Sequence, residues 1–400
     1  MNKVFKIVWS KSKQCYVVVS EYAKSNGGKK KVLATVLAGL MMAGVAGGLA
    51  PQKALAGAGY GNSAINIQPD SLTPPNRNKG VEQNAIAIGG QNNVTGDPDP
   101  LTGAIGNGRI ALGFTNRASK DSSVAIGSRN EAVGGGSTAI GVDAHAGEAD
   151  QIINGQNVKV GGSVALGNSV WAMNSAAVAI GTHVNASGVA AGAYSTAMGS
   201  KTDATGTQSV AIGVSDKATG TQSVAVGAAS EATALNATAI GSQNKATQQA
   251  ATALGTYTHA TGLRSTAVGV NAAASGQSSQ AMGDHAEATG FGATAVGKAA
   301  KALDQSASAF GDSANATTVQ STAVGYSANA TGLNASAFGN LSMASGEYAT
   351  AVGSEAHATG QNGFAGGAKV NATGNESTAV GYNSTASGAG SVTLGRDATA

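Results

Sequence analysis

The chain contains very little cysteine, few aromatic residues and few charges. Of its 400 residues one is Cys, 4% are Phe, Trp or Tyr, and 11% are charged. Typical globular chains carry about 25% charged residues. The single Cys15 excludes a disulfide framework and a cysteine-based metal site. The scarcity of large apolar side chains argues against a thick core, whereas the regular recurrence of Val, Ile, Leu and Ala argues against a disordered chain.

Proline is absent from most of the chain. All six prolines lie at or before Pro100. Because proline removes a donor from a β-ladder, a long proline-free stretch favours continuous strand stacking.

The basic charge is confined to the N-terminus. Nine of the 24 Lys and Arg residues but only one of the 21 acids precede Gly57, so residues 57–400 carry 15 basic and 20 acidic side chains, a net charge of −5. The sequence pI of about 8.8 therefore misleads, and we expect no nucleic-acid partner.

A short phrase returns at every fourteenth position of the chain. It reads Val210-Ala211-Ile212-Gly213, and its glycine recurs without slipping from Gly199 to Gly395. We number each coil from this glycine as position 0. An alanine follows at position +5, as at Ala218. A fixed period over 15 units predicts a stacked repeat.

Each repeat has room for two short strands and two tight turns. We predict a first strand at Ser209–Ile212 ended by Gly213, a second near Ser215–Ala218, and a turn at Thr219-Gly220. Asn, Asp, Ser and Gly at the corners allow left-handed or turn conformations. Each strand would pair in parallel with its copy one coil along, about 4.8 Å away. The fold class predicted is all-β, a parallel solenoid of 14-residue coils.

Charge alternation predicts which residues face water. Position +4 is often charged, and in four successive coils it holds Asp203, Lys217, Glu231 and Lys245, which alternate in sign. Opposite charges on neighbouring strands support this register. We therefore expect position +4 to point outward and position +5 inward.

The coil looks too thin to be stable alone. We expect an inward face of Ala and Val or Ile, with one medium apolar residue buried in each coil. That burial is small against the entropy of ordering the backbone of a whole coil. A homo-oligomer sharing one axis would supply a second buried surface.

The N-terminus has the features of an export signal. Three lysines, Lys29 to Lys31, precede an apolar stretch at 32–43, and the small residues Ala54 and Ala56 follow. We predict cleavage after Ala56 rather than Ala50, which precedes Pro51. The alternative is a membrane anchor, but the apolar stretch is short for a spanning helix of about 20 residues. Roughly the first 25 residues resemble the extended signal peptide region of large bacterial autotransported proteins.

The repeat phrase, with its Asn/Ser-Ala-Thr/Ser-Gly turn, resembles the YadA-like head repeat of trimeric autotransporter adhesins. The resemblance covers residues 85–400, some 20 units. It implies a left-handed parallel β-roll, three chains wound about one axis, and a bacterial surface location. It also implies adhesion to host matrix, host cells or other microbes. The departures are Gly366 in place of the large residue, Thr393 in place of alanine, and Trp171 at an outward position.

The predicted organisation has three parts. Residues 1–56 form the cleaved signal, 57–84 a flexible mature N-terminus, and 85–400 the repeat array. Insertions at about 90–108, 142–162 and 182–195 interrupt the array. Insertions in repeat proteins map to loops on one face, often the binding face, and the alternative is a tolerated surface loop. The family's stalk and outer-membrane anchor are not found in this sequence, so we expect the anchor outside it.

No constellation of catalytic, metal-binding or cofactor-binding residues emerges. The five histidines occupy outward positions on different coils, whereas a metal site needs converging ligands; they are His145, His183, His259, His285 and His357. Asn-x-Ser/Thr sequences are interpreted as turns at the repeat corner rather than glycan acceptors; they include Asn185, Asn236, Asn315, Asn334 and Asn371. The ligand-binding residues are unknown.

Three functions are compared. The leading hypothesis is a non-enzymatic surface adhesin head whose partners are host matrix or cell-surface proteins, or other bacteria. The alternative is a spacer that projects another adhesive region. An acyltransferase or ice-binding solenoid fits less well, because the period is not a multiple of six and position +4 is charged rather than a threonine row.

Overall fold

The computed structural model describes residues 5–10, 15–20, 55–56, 65–67, 78, 85–94, 108–147, 151–153, 156–158, 161–183 and 194–400. These residues fall into two units, within Met1–Gln52 and Lys53–Ala400. In the first, Phe5–Ser10 pairs antiparallel with Cys15–Ser20. The predicted apolar stretch at 32–43 lies outside the described residues. Within the described part of the chain no helix is long and apolar enough to cross a membrane.

The second unit is a parallel β-solenoid built on two sheets. The larger, which we call the long-strand sheet, takes one strand from each coil, paired in parallel with its copy in the next coil. Its strands are Ile65–Ile67, Ile86–Gly90, Ile110–Phe114, Val124–Ser128, Thr138–Val142, Val164–Asn168, Val178–Thr182, Thr196–Ser200, Val210–Val214, Val224–Ala228, Thr238–Ser242, Thr252–Thr256, Thr266–Val270, Gln280–Met282, Thr294–Val296, Ser308–Phe310, Thr322–Val324, Ser336–Phe338, Thr350–Val352, Phe364–Ala368, Thr378–Tyr382 and Val392–Arg396.

The opposite side of each coil contributes a strand of only two residues. We call these strands the short-strand sheet, which the described residues show in two stretches. The first contains Arg117–Ala118, Glu131–Ala132, His145–Ala146 and Trp171–Ala172. The second contains Asp203–Ala204, Lys217–Ala218, Glu231–Ala232, Lys245–Ala246, His259–Ala260, Ala273–Ala274, Glu287–Ala288, Lys301–Ala302, Asn315–Ala316, Asn329–Ala330, Met343–Ala344, His357–Ala358, Asn371–Ala372 and Thr385–Ala386.

The predicted fold class is confirmed, with adjusted strand ends. The first strand is Val210–Val214, so it continues through Gly213 rather than ending there, and the second is Lys217–Ala218. Register follows the sequence period, with Gly213 opposite Gly227 and Lys217 opposite Glu231. The left-handed winding remains a prediction from the resemblance.

The ladder begins earlier than expected. Ile65–Ile67 pairs in parallel with Ile86–Gly90, although it lies in the segment predicted to be flexible. Its register places Asn66 opposite the inward Ala87 and Ile67 opposite Ile88, so the strand continues the long-strand sheet by one coil. Leu55–Ala56 pairs antiparallel with this strand. Cleavage after Ala56 is not tested by this geometry and stays a prediction.

Two residues in each coil adopt the left-handed conformation, seven positions apart. In one coil they are Ser215 at position +2 and Gln222 at position +9, with φ of 58° and 57°. Each donates its N–H to the preceding coil, Ser215 to Ser200 O at 2.9 Å and Gln222 to Thr207 O at 2.8 Å. Left-handed corners were predicted correctly, but the turn was placed at Thr219-Gly220 rather than at Gln222. The residue types were also too narrow, because Arg264 and Leu341 take the same conformation.

The glycine at position 0 is required by the neighbouring coil. Gly213 has φ of 138°, and a Cβ there would lie 1.9 Å from the carbonyl oxygen of Gly227. A Cβ on Gly227 would likewise lie 1.7 Å from the carbonyl oxygen of Gly241. A side chain at either position would therefore force adjacent coils apart.

The interior is filled by small residues. Alanines at positions −2 and +5, such as Ala211 and Ala218, are fully buried. The expectation for position +5 is confirmed: in the same coil Ala218 is buried and Lys217 at position +4 is exposed. Thr393, at an alanine position, is also buried.

The expected inward Val or Ile face is wrong. Strand alternation places Ala211 inside, so Val210 and Ile212 on either side of it point outward. Ile212 is 37% exposed within the single chain. Positions −2 and +5 of the interior are filled almost entirely by alanine, and the medium apolar residues at positions −3 and −1 form an outer face.

Asparagines stack inside the coils at position +3. Asn92, Asn116 and Asn130 are buried, and each Oδ1 accepts a backbone N–H from the next coil at 2.9–3.1 Å. Asn130 Nδ2 also donates to Ile126 O and Gly141 O, both at 2.8 Å. The amide thus satisfies carbonyl groups of two coils at one corner.

Asp216 occupies the same position with a side chain that has no donor when ionised. It is buried, and its two carboxylate oxygens accept N–H groups of Gly227 at 2.9 Å and Ser230 at 2.7 Å. Burial raises the pKa of Asp216, and these two hydrogen bonds only partly counter that shift. In Asn244, the next asparagine in this column, Nδ2 instead donates to Ile240 O at 2.6 Å and Gly255 O at 2.8 Å.

Gly213→Ala should disrupt stacking of the coils. We expect a loss of more than about 3 kcal/mol in unfolding free energy, because backbone atoms rather than a flexible side chain fill the space. Gly292→Ala is the matched control, since its φ of 65° suits the left-handed region and the nearest atom to a Cβ is Ser306 Oγ at 4.0 Å. Thermal unfolding by circular dichroism compares the two, and equal losses would contradict the stacking argument.

Asp216→Asn should stabilise the chain near neutral pH by about 1 kcal/mol or more, because the amide can donate where the carboxylate cannot. A raised folded-state pKa contributes stability below the unfolded value of 3.8, and that stability is lost as pH rises through the folded-state pKa. The gain over the wild type should therefore shrink as pH falls towards 3.8.

Melting curves across the acid range test this pH dependence. The exposed Asp312→Asn variant is the control and should leave the melting temperature unchanged. A gain for Asp216→Asn that does not vary with pH would show that the carboxyl group does not titrate as argued.

Candidate functional site

The outer surface of the long-strand sheet is an apolar face. It is formed mainly by the residues at position −1, which are Val, Ile, Leu, Met or Phe in nearly every coil, and by those at position −3, which are Val, Ile, Thr or Ser in most coils; both positions point away from the alanine interior. The large members of this face that are most exposed are Ile140, Met198, Ile212, Ile240, Phe310, Phe338, Val352, Phe364, Val392 and Leu394. Because the coils stack in register, these side chains form a continuous stripe along the array. Such a stripe marks an interaction surface.

One break in this stripe is compensated locally. Gly366 stands where other coils have a large residue, but Phe364 in the same strand carries a ring in place of the usual Thr or Val. A Cβ on Gly366 would lie 2.9 Å from Phe364 Cε1, so the ring covers the gap. The departure noted in the sequence therefore leaves the face apolar.

The outer surface of the short-strand sheet is a charged face. Lys217 Nζ lies 3.9 Å from Glu231 Oε1, and Lys301 Nζ lies 3.9 Å from Glu287 Oε2, each pair on adjacent coils. Half-burial raises the pKa of Asp203, while the nearby Lys217 opposes the shift. The predicted stacking of alternating charges is thus present. These exposed pairs contribute about 0.2–1 kcal/mol each.

Trp171 interrupts this charged face. It lies at position +4 opposite His145 of the preceding coil, with ring centroids 6.1 Å apart and planes at 76°. His145 Nδ1 in turn lies 3.4 Å from Glu131 Oε2, which is on the coil before that of His145. Trp171 remains 49% exposed, so a flat aromatic side chain faces solvent next to the polar His145.

A shallow groove lies further along the same face. It is an open depression of about 520 Å³ between two coils, lined by Ala299, Lys301, Leu303, Ser313, Asn315 and Thr317. Small side chains at its edges create it. Its lining contains no pair of groups arranged for acid–base or nucleophilic chemistry.

The histidines remain dispersed. Within the part of the chain that the structure describes, no three His, Cys, Asp or Glu side chains are grouped to hold a metal ion. His285 Nδ1 approaches Asp284 Oδ1 at 2.6 Å, a contact between adjacent exposed residues.

The corner interpretation of the Asn-x-Ser/Thr sequences holds for only some of them. Asn236 and Asn334 have positive φ at position +9, as a corner requires. Asn315 and Asn371 instead lie on two-residue strands, because Asn at position +4 precedes the buried alanine of the short-strand sheet. Asn185 is outside the described residues.

Sequence reasoning missed the buried groups at two positions. The asparagines at position +3 recur too irregularly to stand out. Arg109 lies fully buried at position −4, where nearly all other coils have Ser or Ala. Aligning the coils by the 14-residue period would have shown that Arg109 is a large charged residue at a position otherwise held by small ones.

The comparisons with known proteins agree with this geometry. A family model described as the extended signal peptide of the type V secretion system matches residues 1–49. The YadA head domain repeat model matches residues 104–130, 190–215, 218–244, 232–258, 260–286, 288–314, 305–328, 316–342, 344–369 and 372–398, more than half of the chain. The chain belongs to the YadA head repeat family. No curated protein is significantly similar to it.

Membership confirms the predicted identity and location. The chain is a trimeric autotransporter adhesin-like protein, exported through its N-terminal signal by type V secretion to the bacterial cell surface. Its YadA head repeats are of a non-enzymatic, adhesive kind.

Proposed function

We propose that this chain forms a homotrimeric adhesin head that attaches bacteria to host matrix, host cells or other microbes. The observation that carries the proposal is the continuous apolar face of the long-strand sheet. YadA-like heads typically form homotrimers, and two further copies of this chain are the occupants we assign to that face.

Strand alternation supports this assembly. Every coil that buries an alanine must expose the residues on either side of it, so the apolar face is as long as the array. Ile212 and Ile240 are 37% and 40% exposed in a single chain. A shared axis would bury these residues in all three copies at once, and the same patch would serve each subunit.

The charged face would then remain on the outside of the trimer. The charged side chains at position +4 repeat from coil to coil and are solvated. Such a surface suits many weak contacts, whose combined affinity is raised by effective concentration. We assign adhesion to this exterior and to the insertions. The alternative is a spacer that only projects another adhesive region.

Ile212→Asp combined with Ile240→Asp tests the assembly. We expect loss of the trimer, because two buried unpaired carboxylates on each of three chains are unfavourable. Glu231→Gln with Lys245→Gln on the charged face is the control and should remain trimeric. Light scattering measures the mass, and a wild-type chain that is a stable monomer would refute the proposal.

A double deletion separates the adhesin from the spacer. Removing residues 96–105 and 148–159 restores the regular repeat period between Gly89 and Gly113 and between Gly141 and Gly167. If the insertions bind, cells carrying this variant should lose adhesion to matrix-coated surfaces. Removing the single regular coil 214–227 is the control and should retain it.

Adhesion that survives the double deletion would assign binding to the repeats or to the remaining insertion at about 182–195. A wild-type chain that adheres to none of a panel of matrix proteins, host cells and bacteria would favour the spacer. Surface display of each variant is measured with an antibody, so that failed export is not mistaken for failed binding.

A further inference from the structure

We infer that Trp171 and the side chains beside it form a saccharide-binding platform on the charged face. The inference rests on the proposed adhesive role and names a ligand class for it, a neutral sugar ring.

Trp171 is held in place from two sides. Its neighbour in the chain, Ala172, is fully buried and fixes the strand. On the preceding coil His145 sets its ring edge-to-face against the indole, with centroids 6.1 Å apart. His145 is in turn positioned by Glu131, 3.4 Å from its Nδ1. A preorganised aromatic ring loses little entropy when it binds a ligand.

The polar surroundings favour a neutral ligand. The strand beside Trp171 carries His145, and Glu131 and Arg117 follow two and three strands away, opposite each other. A bound cation would be favoured by a carboxylate next to the indole, whereas the described neighbouring strand places His145 there. A sugar ring offers an apolar C–H face for the exposed indole and a rim of hydroxyl groups. The half-exposed Glu131 carboxylate and His145 ring can hydrogen-bond that rim.

The platform lies beside an irregularity of the array. Gly147, after which the insertion leaves its coil, donates its N–H to the carbonyl oxygen of Ala172 at 2.7 Å. The chain is back in register at Gly161, which pairs with Gly135. The exposed tryptophan and the base of the insertion, two separate departures in the sequence, thus occupy the same coils.

The chain offers a spectroscopic probe of this site. It has two tryptophans, Trp9 and Trp171. In the full chain carrying Trp9→Phe, indole fluorescence reports on Trp171 alone. Titration with chitotetraose and with lacto-N-tetraose should give a saturable blue shift for at least one of them. Tetramethylammonium chloride is the cationic comparison.

Variants locate the binding. Trp171→Ala should weaken binding to the immobilised oligosaccharide by at least about tenfold, as expected for loss of a stacked aromatic contact. Trp171→Phe should retain part of the affinity. Tyr257→Ala is the matched control, since Tyr257 is also 49% exposed but lies on another coil, and it should bind as the wild type does.

Three results would overturn the inference: no saturable response to either oligosaccharide up to about 50 mM, a response to tetramethylammonium alone, or an equal loss in Tyr257→Ala. The adhesive role is judged separately, by whether cells displaying the wild-type chain adhere. Adhesion without any oligosaccharide binding would refute the saccharide platform and leave the proposed function intact. Oligosaccharide binding by cells that adhere to nothing would support the saccharide platform and refute the proposed adhesive function.

Discussion

The contact between stacked glycines sets the dimensions of this molecule. At position 0 the backbone of one coil comes so close to the next that a Cβ on Gly213 would lie 1.9 Å from Gly227 O. That approach keeps the repeat period constant, because any slip in register would bring a side chain into the space. Two left-handed residues in each coil, seven positions apart, then close the coil through N–H groups donated to the preceding one. The rest of the structure follows from a coil this narrow.

A narrow coil decides where apolar residues can go. Its interior accepts alanine, serine, threonine and, at a few places, asparagine or valine, so the larger Ile212 and Phe338 lie on the outer face. A single chain consequently exposes its best hydrophobic surface along the whole array. The polar corner has the opposite character. There Asn116 and Asn130 satisfy the backbone of neighbouring coils from inside, and Asp216 occupies the same position without the donor that the amide supplies.

Much of this architecture could be predicted from the sequence because the period is visible in it. The strict spacing of Gly213 and Ala218 gives the coil length, and the alternating signs of Lys217 and Glu231 give the outward position. The facing of Ile212 was predicted wrongly, since hydrophobicity suggested burial and only the alternation around Ala211 excludes it. The asparagine column and the strand at Ile65–Ile67 have no periodic signal strong enough to find. The platform at Trp171 required the pairing of its coil with that of His145, which an insertion hides in the sequence.

A monotonous scaffold limits where recognition can be specific. Each regular coil presents nearly the same rungs, so contacts to the array are weak and repeated rather than unique. A residue that departs from the repeat pattern indicates a candidate site only if its neighbours do not compensate for the substitution. The substitution at Gly366 is compensated, because the ring of Phe364 covers the gap. The substitution at Trp171 is not compensated, because His145 contacts the indole edge-to-face and leaves it half exposed. The same packing rule that makes the scaffold uniform thus separates a tolerated substitution from a candidate site.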